Sequence, residues 1–336
     1  MRWGVLSLLL VMLIAGCDGQ QSALRRAGWG AARILDLAQW MTIGGAVIWL
    51  LVVGLSLFAF YSPRTFSRRA TAALVIGGGV VVPTVVLTGL LCYGLSLLPQ
   101  LTTPAPAGSL RVEVASARWW WRVRYPQEIS GQDPAPIAQP VELANQLVLP
   151  VGEPVELILT SEDVIHAFWI PSLGGKVDMI PGRQTRLKLE PLQTGNFWGV
   201  CAEYCGEAHT HMRFEVQVVS RDEFDDWLVR QAAPAQAADA GPAAATVRGR
   251  ELFEQLGCGA CHAVRGTSAA GQLGPDLTHV ASRQYLAAGV LDNDRQGITQ
   301  WLKSPEHFKP GVEMPPFDWL SDAEMDSLVE FLLALE

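Results

Sequence analysis

Soft and borderline metal ligands crowd into one twelve-residue stretch of the chain. It reads Cys201-Ala-Glu-Tyr-Cys205-Gly-Glu-Ala-His209-Thr-His211-Met212. Thiolate, imidazole and thioether groups together favour copper over the hard cations. One thiolate is enough for a mononuclear copper site, whereas two thiolates four residues apart can bridge two copper ions. The stretch therefore predicts a binuclear copper site, which we call the copper loop (residues 201–212).

Each copper ion of such a pair needs a terminal histidine and a weak axial ligand. His209 and Met212 are local candidates, although His211 could replace His209 on spacing alone. The second histidine has to come from elsewhere in the chain. His166, in Asp163-Val-Ile-His166-Ala-Phe-Trp, is the best distant candidate.

Two other interpretations of the cysteine pair are open. A disulfide is compatible with a compartment outside the cytosol, and a zinc ion accepts cysteine and histidine ligands. Two cysteines, a histidine and a methionine within twelve residues favour a metal over a disulfide. Methionine is a poor zinc ligand, so copper is the preferred prediction.

A second redox motif lies near the carboxyl end of the chain. Cys258-Gly-Ala-Cys261-His262 has the spacing of a c-type haem attachment site. Both thiols would bond to the haem vinyl groups, and His262 would bind the iron on the proximal side. A thioredoxin-like site is the alternative, but it lacks the directly following histidine. We therefore predict a covalent haem c.

The sixth iron ligand is expected between this motif and the last helix. Met314 lies in Val312-Glu-Met314-Pro-Pro-Phe317, where two prolines stiffen the chain. Met325 is a rival thioether, but it falls on the apolar face of the predicted last helix. His279 or His307 would give a haem of lower potential, whereas a thioether raises the potential. Met314 is the predicted ligand.

Two uncharged runs precede these motifs. Residues 41–60 and about 72–98 are each long enough to cross a bilayer. A buried helix pair in a soluble protein is the alternative, and the lengths disfavour it. Cys92 lies in the second run and is interpreted as a small buried apolar residue.

The first residues indicate export. Residues 1–16 combine Arg2 with an apolar run and predict a signal peptide. They end Leu13-Ile14-Ala15-Gly16-Cys17, which predicts a lipoprotein signal with acylation at Cys17; an incidental cysteine is the alternative. The amino terminus and everything after residue 98 are then expected on the outer side of the membrane.

Composition shifts divide the remainder. Short β-like stretches punctuated by Pro and Gly begin at Leu110 and predict a sandwich or barrel. A low-complexity Ala/Pro stretch follows, and then the haem motif. The predicted partition is residues 17–107 for the amino-terminal segment with its spanning helices, 108–230 for the β domain, 231–245 for the linker and 246–336 for an all-α cytochrome domain.

Net charge limits the partners. The 336-residue chain is 49% hydrophobic, carries a net charge of −8 and has a pI near 5.3, which argues against nucleic acid. An acidic protein would suit a basic partner such as a soluble cytochrome c.

The copper loop and the His166 segment, which continues Ile-Pro-Ser-Leu-Gly-Gly-Lys176-Val-Asp178, resemble subunit II of haem-copper cytochrome c oxidases. The resemblance covers roughly residues 40–220 and implies a cupredoxin-like Greek-key β-sandwich. It also implies that Glu203 binds copper through its backbone carbonyl and reaches a magnesium or manganese ion shared with subunit I. The implied side-chain copper ligands are His166, Cys201, Cys205, His209 and Met212.

Elsewhere in the chain, two segments match the family and one position departs from it. In Trp119-Trp120-Trp121, strand alternation predicts that the first and third rings share a face, and the resemblance implies Trp119 as the electron entry point. Lys176 and Asp178 match positions at the interface with subunit I. Many family members have a glutamate seven residues before a proline of the second helix, but Ile76 stands there. The proton role of that glutamate is therefore not carried over.

Gly274-Pro275-Asp276-Leu277 and the Met314-Pro pair resemble small class I cytochromes c. Together the resemblances imply a multi-domain membrane protein: the electron-entry subunit of a terminal cytochrome c oxidase in a bacterial inner membrane. Its implied partners are subunit I, subunit III and an external donor such as a cytochrome c or a bc1-type complex. Oxygen would be reduced in subunit I, not in this chain.

Three alternatives share some of these motifs. A nitric oxide reductase with a similar copper site would differ only in its partner's active site. A copper-binding or assembly protein would need no attached haem. A nitrous oxide reductase would need a second histidine-rich copper centre, for which six histidines are too few.

Overall fold

The computed structural model describes residues 19–63, 67–126, 140–235 and 244–336. The predicted signal peptide and Cys17 lie outside the described residues. Along the described chain an apolar helix pair comes first, a β-sandwich second and a mainly helical unit last. This order confirms the predicted fold class.

Two long helices make the amino-terminal hairpin. Helix α1 is Trp29–Tyr61, and helix α2 is Arg68–Thr102, with a π-helical middle at Leu74–Val81. Both are long and apolar enough to cross a membrane. They extend beyond the predicted spans of 41–60 and 72–98, because polar residues at their ends continue the helical hydrogen bonding.

Residues 19–28, the amino-terminal strap, run along the β-sandwich before α1 begins. The Ala27 N–H donates to the Ser172 carbonyl, 3.1 Å away. A Cβ atom at Gly28 would lie 2.2 Å from the Leu173 carbonyl oxygen, so only glycine fits this crossing. The segment before the first helix is therefore an integral part of the domain that follows the second.

Ten strands form the sandwich: β1 (Leu110–Ala117), β2 (Trp120–Tyr125), β3 (Val141–Ala144), β4 (Gln146–Pro150), β5 (Val155–Ser161), β6 (His166–Trp169), β7 (Val177–Met179), β8 (Thr185–Leu189), β9 (Gly195–Cys201) and β10 (Arg213–Val219). They make two five-stranded sheets, in the orders β3-β2-β1-β5-β8 and β4-β10-β9-β6-β7. Strands β1 and β5 pair in parallel, as do β4 and β10, and the other neighbours are antiparallel.

An aromatic cluster fills the space between the sheets. Trp121, Phe168 and Phe214 are fully buried, and the last two rings stack with their centroids 4.8 Å apart. Phe214 lies against Gly199 so closely that a Cβ there would be 1.9 Å from the ring. This packing makes the end of β9, where the copper loop begins, a rigid platform.

Helix α3 (Arg221–Ala232) closes the sandwich, and its Phe224 and Trp227 pack on Tyr125. The predicted linker is residues 231–245, and α3 ends inside it. Helix α4 (Ala244–Gln255) also begins inside that predicted linker. Alanine favours helix, which explains both extensions.

The last unit packs α4 across α7 (Asp322–Leu333), with α5 (Arg295–Lys303) and α6 (Pro305–Phe308) beside them. Gly249 makes the crossing possible, since a Cβ there would be 2.0 Å from the Ser327 carbonyl. A capping box at Ser321 begins α7, with Glu324 as its partner. The unit is not wholly α: a small hairpin joins β11 (Tyr285–Leu286) to β12 (Leu291–Asp292) through residues with positive φ.

Candidate metal centre

The copper loop leaves one sheet strand and returns to its neighbour. Cys201 is the last residue of β9, and Met212 directly precedes β10. The Cys201 N–H donates to the Met212 carbonyl, 3.0 Å away, which closes the base of the loop. A short 3₁₀ turn, His209–His211, aims the first histidine back towards the cysteines.

Each sulfur of the pair has its own imidazole. His166 Nδ1 lies 3.7 Å from Cys201 Sγ, and His209 Nδ1 lies 3.5 Å from Cys205 Sγ. The two sulfurs are 3.8 Å apart, far beyond the ~2.05 Å of a disulfide. Ligand atoms of His166, Cys201 and Cys205 all lie within 4.8 Å of one another. Two sulfurs flanked by two imidazoles are the donor set that a thiolate-bridged copper pair requires.

Two further donors face the sulfurs. The Glu203 carbonyl oxygen lies 3.1 Å from Cys201 Sγ, and Met212 Sδ lies 3.8 Å from Cys205 Sγ. Met212 is almost fully buried, whereas the Glu203 side chain points to the surface. His211 ends the same turn, and its Nδ1 is buried without a hydrogen-bond partner. The structure thus gathers the six predicted ligands in one place, with His209 at the sulfur of Cys205.

The surroundings of the two thiols shift their pKa values in opposite directions. The hydrogen bond with Cys205 lowers the pKa of Cys201 to about 4, and His166 and backbone groups add to this effect. The same contact and burial raise the pKa of Cys205. One sulfur is therefore a thiolate at neutral pH, and thiolate is the form that binds metal.

Asp163 orients the distant histidine, a role that the sequence interpretation missed. Its Oδ1 lies 2.9 Å from His166 Nε2, so the Nδ1 atom of that ring faces the sulfur. Its Oδ2 accepts from the Arg118 backbone N–H at 2.7 Å. Burial raises the pKa of Asp163, but hydrogen bonds from His166, Val164 and Arg118 outweigh burial and keep the pKa below its ordinary value. A carboxylate three residues before the histidine was the available signal.

Replacement of Asp163 by alanine is expected to weaken copper binding by roughly 10–100-fold, the range seen when a carboxylate partner of a metal-bound histidine is removed. Competition with a copper chelator would measure the change. Glu162→Ala is the matched control, because Glu162 pairs with Arg122 instead. Equal affinities in both variants would contradict the orienting role.

In the haem motif, a hydrogen bond orients the histidine. His262 Nδ1 lies 2.7 Å from the Pro275 carbonyl oxygen, which leaves Nε2 for iron. Burial lowers the pKa of His262, so the ring is neutral, the form that binds metal. A Cβ at Gly274 would lie 2.5 Å from that ring, so the glycine holds it in place. Cys258 and Cys261, which precede His262 in the motif, are free thiols. The two thiols and the oriented histidine fit a c-type haem.

The candidates for the sixth iron ligand differ in their surroundings. Met325 is buried in the core of α7 among Leu328 and Val329, which agrees with a packing role. His279 Nε2 donates to the Ala233 carbonyl, and His307 packs edge-on against Phe308. Met314 is half-buried beside the same core. It stays the predicted ligand.

Trp119 lies in the turn between β1 and β2 and is only 6% exposed. Its indole N–H donates to the Cys205 carbonyl oxygen, 3.1 Å away, which joins the ring to the copper loop. Trp121 is buried as well and Trp120 is half-buried, as the alternation predicts, although Trp119 precedes the strand. Lys176 and Asp178 form an exposed ion pair of 2.9 Å.

Comparison with known proteins follows the same division of the chain. Residues 110–219 match the family described as cytochrome c oxidase subunit II, periplasmic domain, and residues 246–336 match the cytochrome c family. A cytochrome c oxidase subunit 2 of Alkalihalophilus pseudofirmus is 34% identical over 228 residues, which are 67% of this chain and 61% of the relative. One of Bacillus subtilis is 32% identical over 241 residues, covering 68% and 63%.

The alignments thus span about three fifths of the length of these relatives. Among solved structures, the periplasmic domain of subunit II of the cytochrome oxidase of Bradyrhizobium japonicum is 29% identical. It covers 38% of this chain and 96% of its own, with a TM-score of 0.33.

Proposed function

We propose that this chain is the electron-entry subunit of a terminal oxidase, because residues 110–219 match the cytochrome c oxidase subunit II family and residues 246–336 match the cytochrome c family. It takes electrons from an external donor at its cytochrome domain and passes them to subunit I, where oxygen is reduced. The donor is a cytochrome c or a bc1-type complex, and subunit III is a further partner in the membrane.

The observation that carries this proposal is the position of Trp119. Its ring is bonded to the copper loop through the Cys205 carbonyl, and its own carbonyl accepts from Lys309 of the cytochrome domain. One buried residue therefore contacts both predicted redox units. When bound, a copper pair and a covalent haem supply one-electron chemistry without proton transfer.

Each cofactor has a named set of residues. Cys258 and Cys261 bond the haem, and His262 and Met314 bind its iron. Glu203 offers an exposed carboxylate for a magnesium or manganese ion shared with subunit I, beside the Lys176–Asp178 pair at the same interface. The copper pair is held by His166, Cys201, Cys205, His209, Met212 and the Glu203 carbonyl.

The exposed apolar helices α1 and α2 support a membrane anchor. We place the copper and cytochrome domains on the outer side of a bacterial inner membrane, with residues 1–16 as the signal peptide and Cys17 as the acylated residue. Residues 108–230 form the copper domain and 246–336 the cytochrome domain.

The test is single-turnover reduction of the full chain in detergent by a reduced soluble cytochrome c. We expect the haem absorbance to change first and the copper absorbance to follow. Copper reduction that precedes haem reduction would overturn the proposed direction.

Replacement of Trp119 by phenylalanine is expected to slow transfer between the two redox units by about ten- to a hundredfold, the cost of misplacing a reacting pair. The variant loses the N–H that joins the ring to Cys205. Flash photoreduction of the haem, followed by the copper absorbance, measures the rate. Trp120→Phe is the control, since Trp120 lies under the Arg122 guanidinium and not on the copper loop. Equal rates in both variants would contradict the role of Trp119.

A further inference from the structure

The ring of Trp119 lies in a slot between two glycines from different domains. A Cβ at Gly206, in the copper loop, would be 3.0 Å from the ring atom Cζ2. On the opposite domain, a Cβ at Gly311 would be 2.8 Å from Cη2. Both glycines have positive φ, at +119° and +79°, so a side chain at either would be strained as well as crowded. The slot admits the indole only because both walls lack side chains.

Lys309 closes the same slot from the cytochrome side. It is 3% exposed, and its Nζ donates to the Trp119 carbonyl oxygen. A fully buried lysine is rare and expensive, because its ammonium group loses hydration. Burial accordingly lowers the pKa of Lys309 to about 7. The hydrogen bond to the Trp119 carbonyl offsets part of this cost and fixes Lys309 against the turn that carries Trp119.

We propose that Lys309 is a positioning residue that holds the segment 309–311 of the cytochrome domain over Trp119, so that this face of the copper domain is reserved for the chain's own cytochrome and closed to a second donor. The inference rests on the proposed function for its electron-transfer consequence. Its structural part, the covering of Trp119, stands independently.

Glu207 of the copper loop also borders the slot, since its Oε2 lies 3.3 Å from the Cβ position of Gly311, but further contacts between the domains lie elsewhere. Arg122 Nη2 donates to the Gln272 carbonyl, 2.7 Å away, and the Trp198 and Tyr285 rings meet with their centroids 5.0 Å apart. Loss of Lys309 should therefore leave the cytochrome domain attached and loosen only the segment over Trp119. The expected change is a local increase in the solvent exposure of Trp119.

The experiment compares two ways of opening the slot in the full chain. Lys309→Met keeps the apolar stem and removes the hydrogen bond, and Gly311→Ala puts a methyl group against the ring. Lys303→Met is the control for the first, because Lys303 pairs with exposed Asp322. Gly152→Ala is the control for the second, because Gly152 has the same positive φ, +78°, with no atom within 4 Å of its Cβ position.

Two readouts are needed. Hydroxyl-radical footprinting with mass spectrometry measures oxidation of Trp119 in the metal-free protein, and flash photoreduction measures haem-to-copper transfer in the loaded protein. We expect both test variants to raise Trp119 oxidation severalfold and to slow transfer by about tenfold or more, while both controls match the wild type. Haem and copper spectra should not change.

Continued protection of Trp119 in both test variants would overturn the proposal, as would unchanged transfer in variants with an exposed Trp119. If Lys309→Met does not fold, Gly311→Ala decides alone. Absence of haem-to-copper transfer in the wild type would refute the proposed function instead, and the footprint would still decide whether Lys309 covers Trp119.

Discussion

Replacement of Cys201 by serine is expected to abolish the mixed-valence dicopper signal of the copper-loaded chain and to leave the c-type haem spectrum intact. Cys201 Sγ lies between His166 and Cys205, so its loss leaves a single thiolate and no bridged pair. Serine offers a hydroxyl group in place of the soft sulfur. Electron paramagnetic resonance and optical spectra of one sample measure both centres.

Cys92→Ser is the matched control for this substitution. Cys92 is a free cysteine in α2 that is exposed in the structure, and not buried as the sequence predicted, and it is remote in sequence from both redox motifs. The control should retain both signals at full intensity. Survival of the dicopper signal in Cys201→Ser would refute the assignment of the copper loop.

Replacement of Met314 by alanine is expected to lower the midpoint potential of the haem by on the order of 100 mV, a fraction of the ~0.8 V that axial ligands span. A thioether ligand stabilises the reduced iron, and its loss favours the oxidised form. A redox titration followed at the haem absorbance measures the shift.

The control for Met314→Ala is Met325→Leu, which conserves volume in the buried core of α7. It should leave the potential unchanged. An unchanged potential in Met314→Ala would point to His279 or His307 as the sixth ligand.

Local motifs allowed much of this molecule to be predicted from its sequence. The copper loop holds most of its candidate ligands within twelve residues, and a β-strand at each end fixes where they point. The burial of Trp121 also follows a local rule, the alternation of side chains along a strand. The helix pair was predicted from hydropathy, although its ends were placed too far inward.

Features that depend on contacts between distant segments could not be predicted. Lys309 looks like an ordinary surface lysine in Glu-His-Phe-Lys-Pro, and only the docking of one domain on another buries it. Gly311 is one of 32 glycines, and its purpose is visible only beside the Trp119 ring. Asp163 had a local signal, but its second bond, to Arg118, joins segments 45 residues apart.

The amino-terminal strap has a consequence for biogenesis. Because the strap precedes α1 and packs on a domain that follows α2, both ends of the hairpin must emerge on one face of any membrane that they cross. The strap can then pack on the sandwich only after both helices are integrated, since Gly28 reaches Leu173 only when the hairpin has turned back.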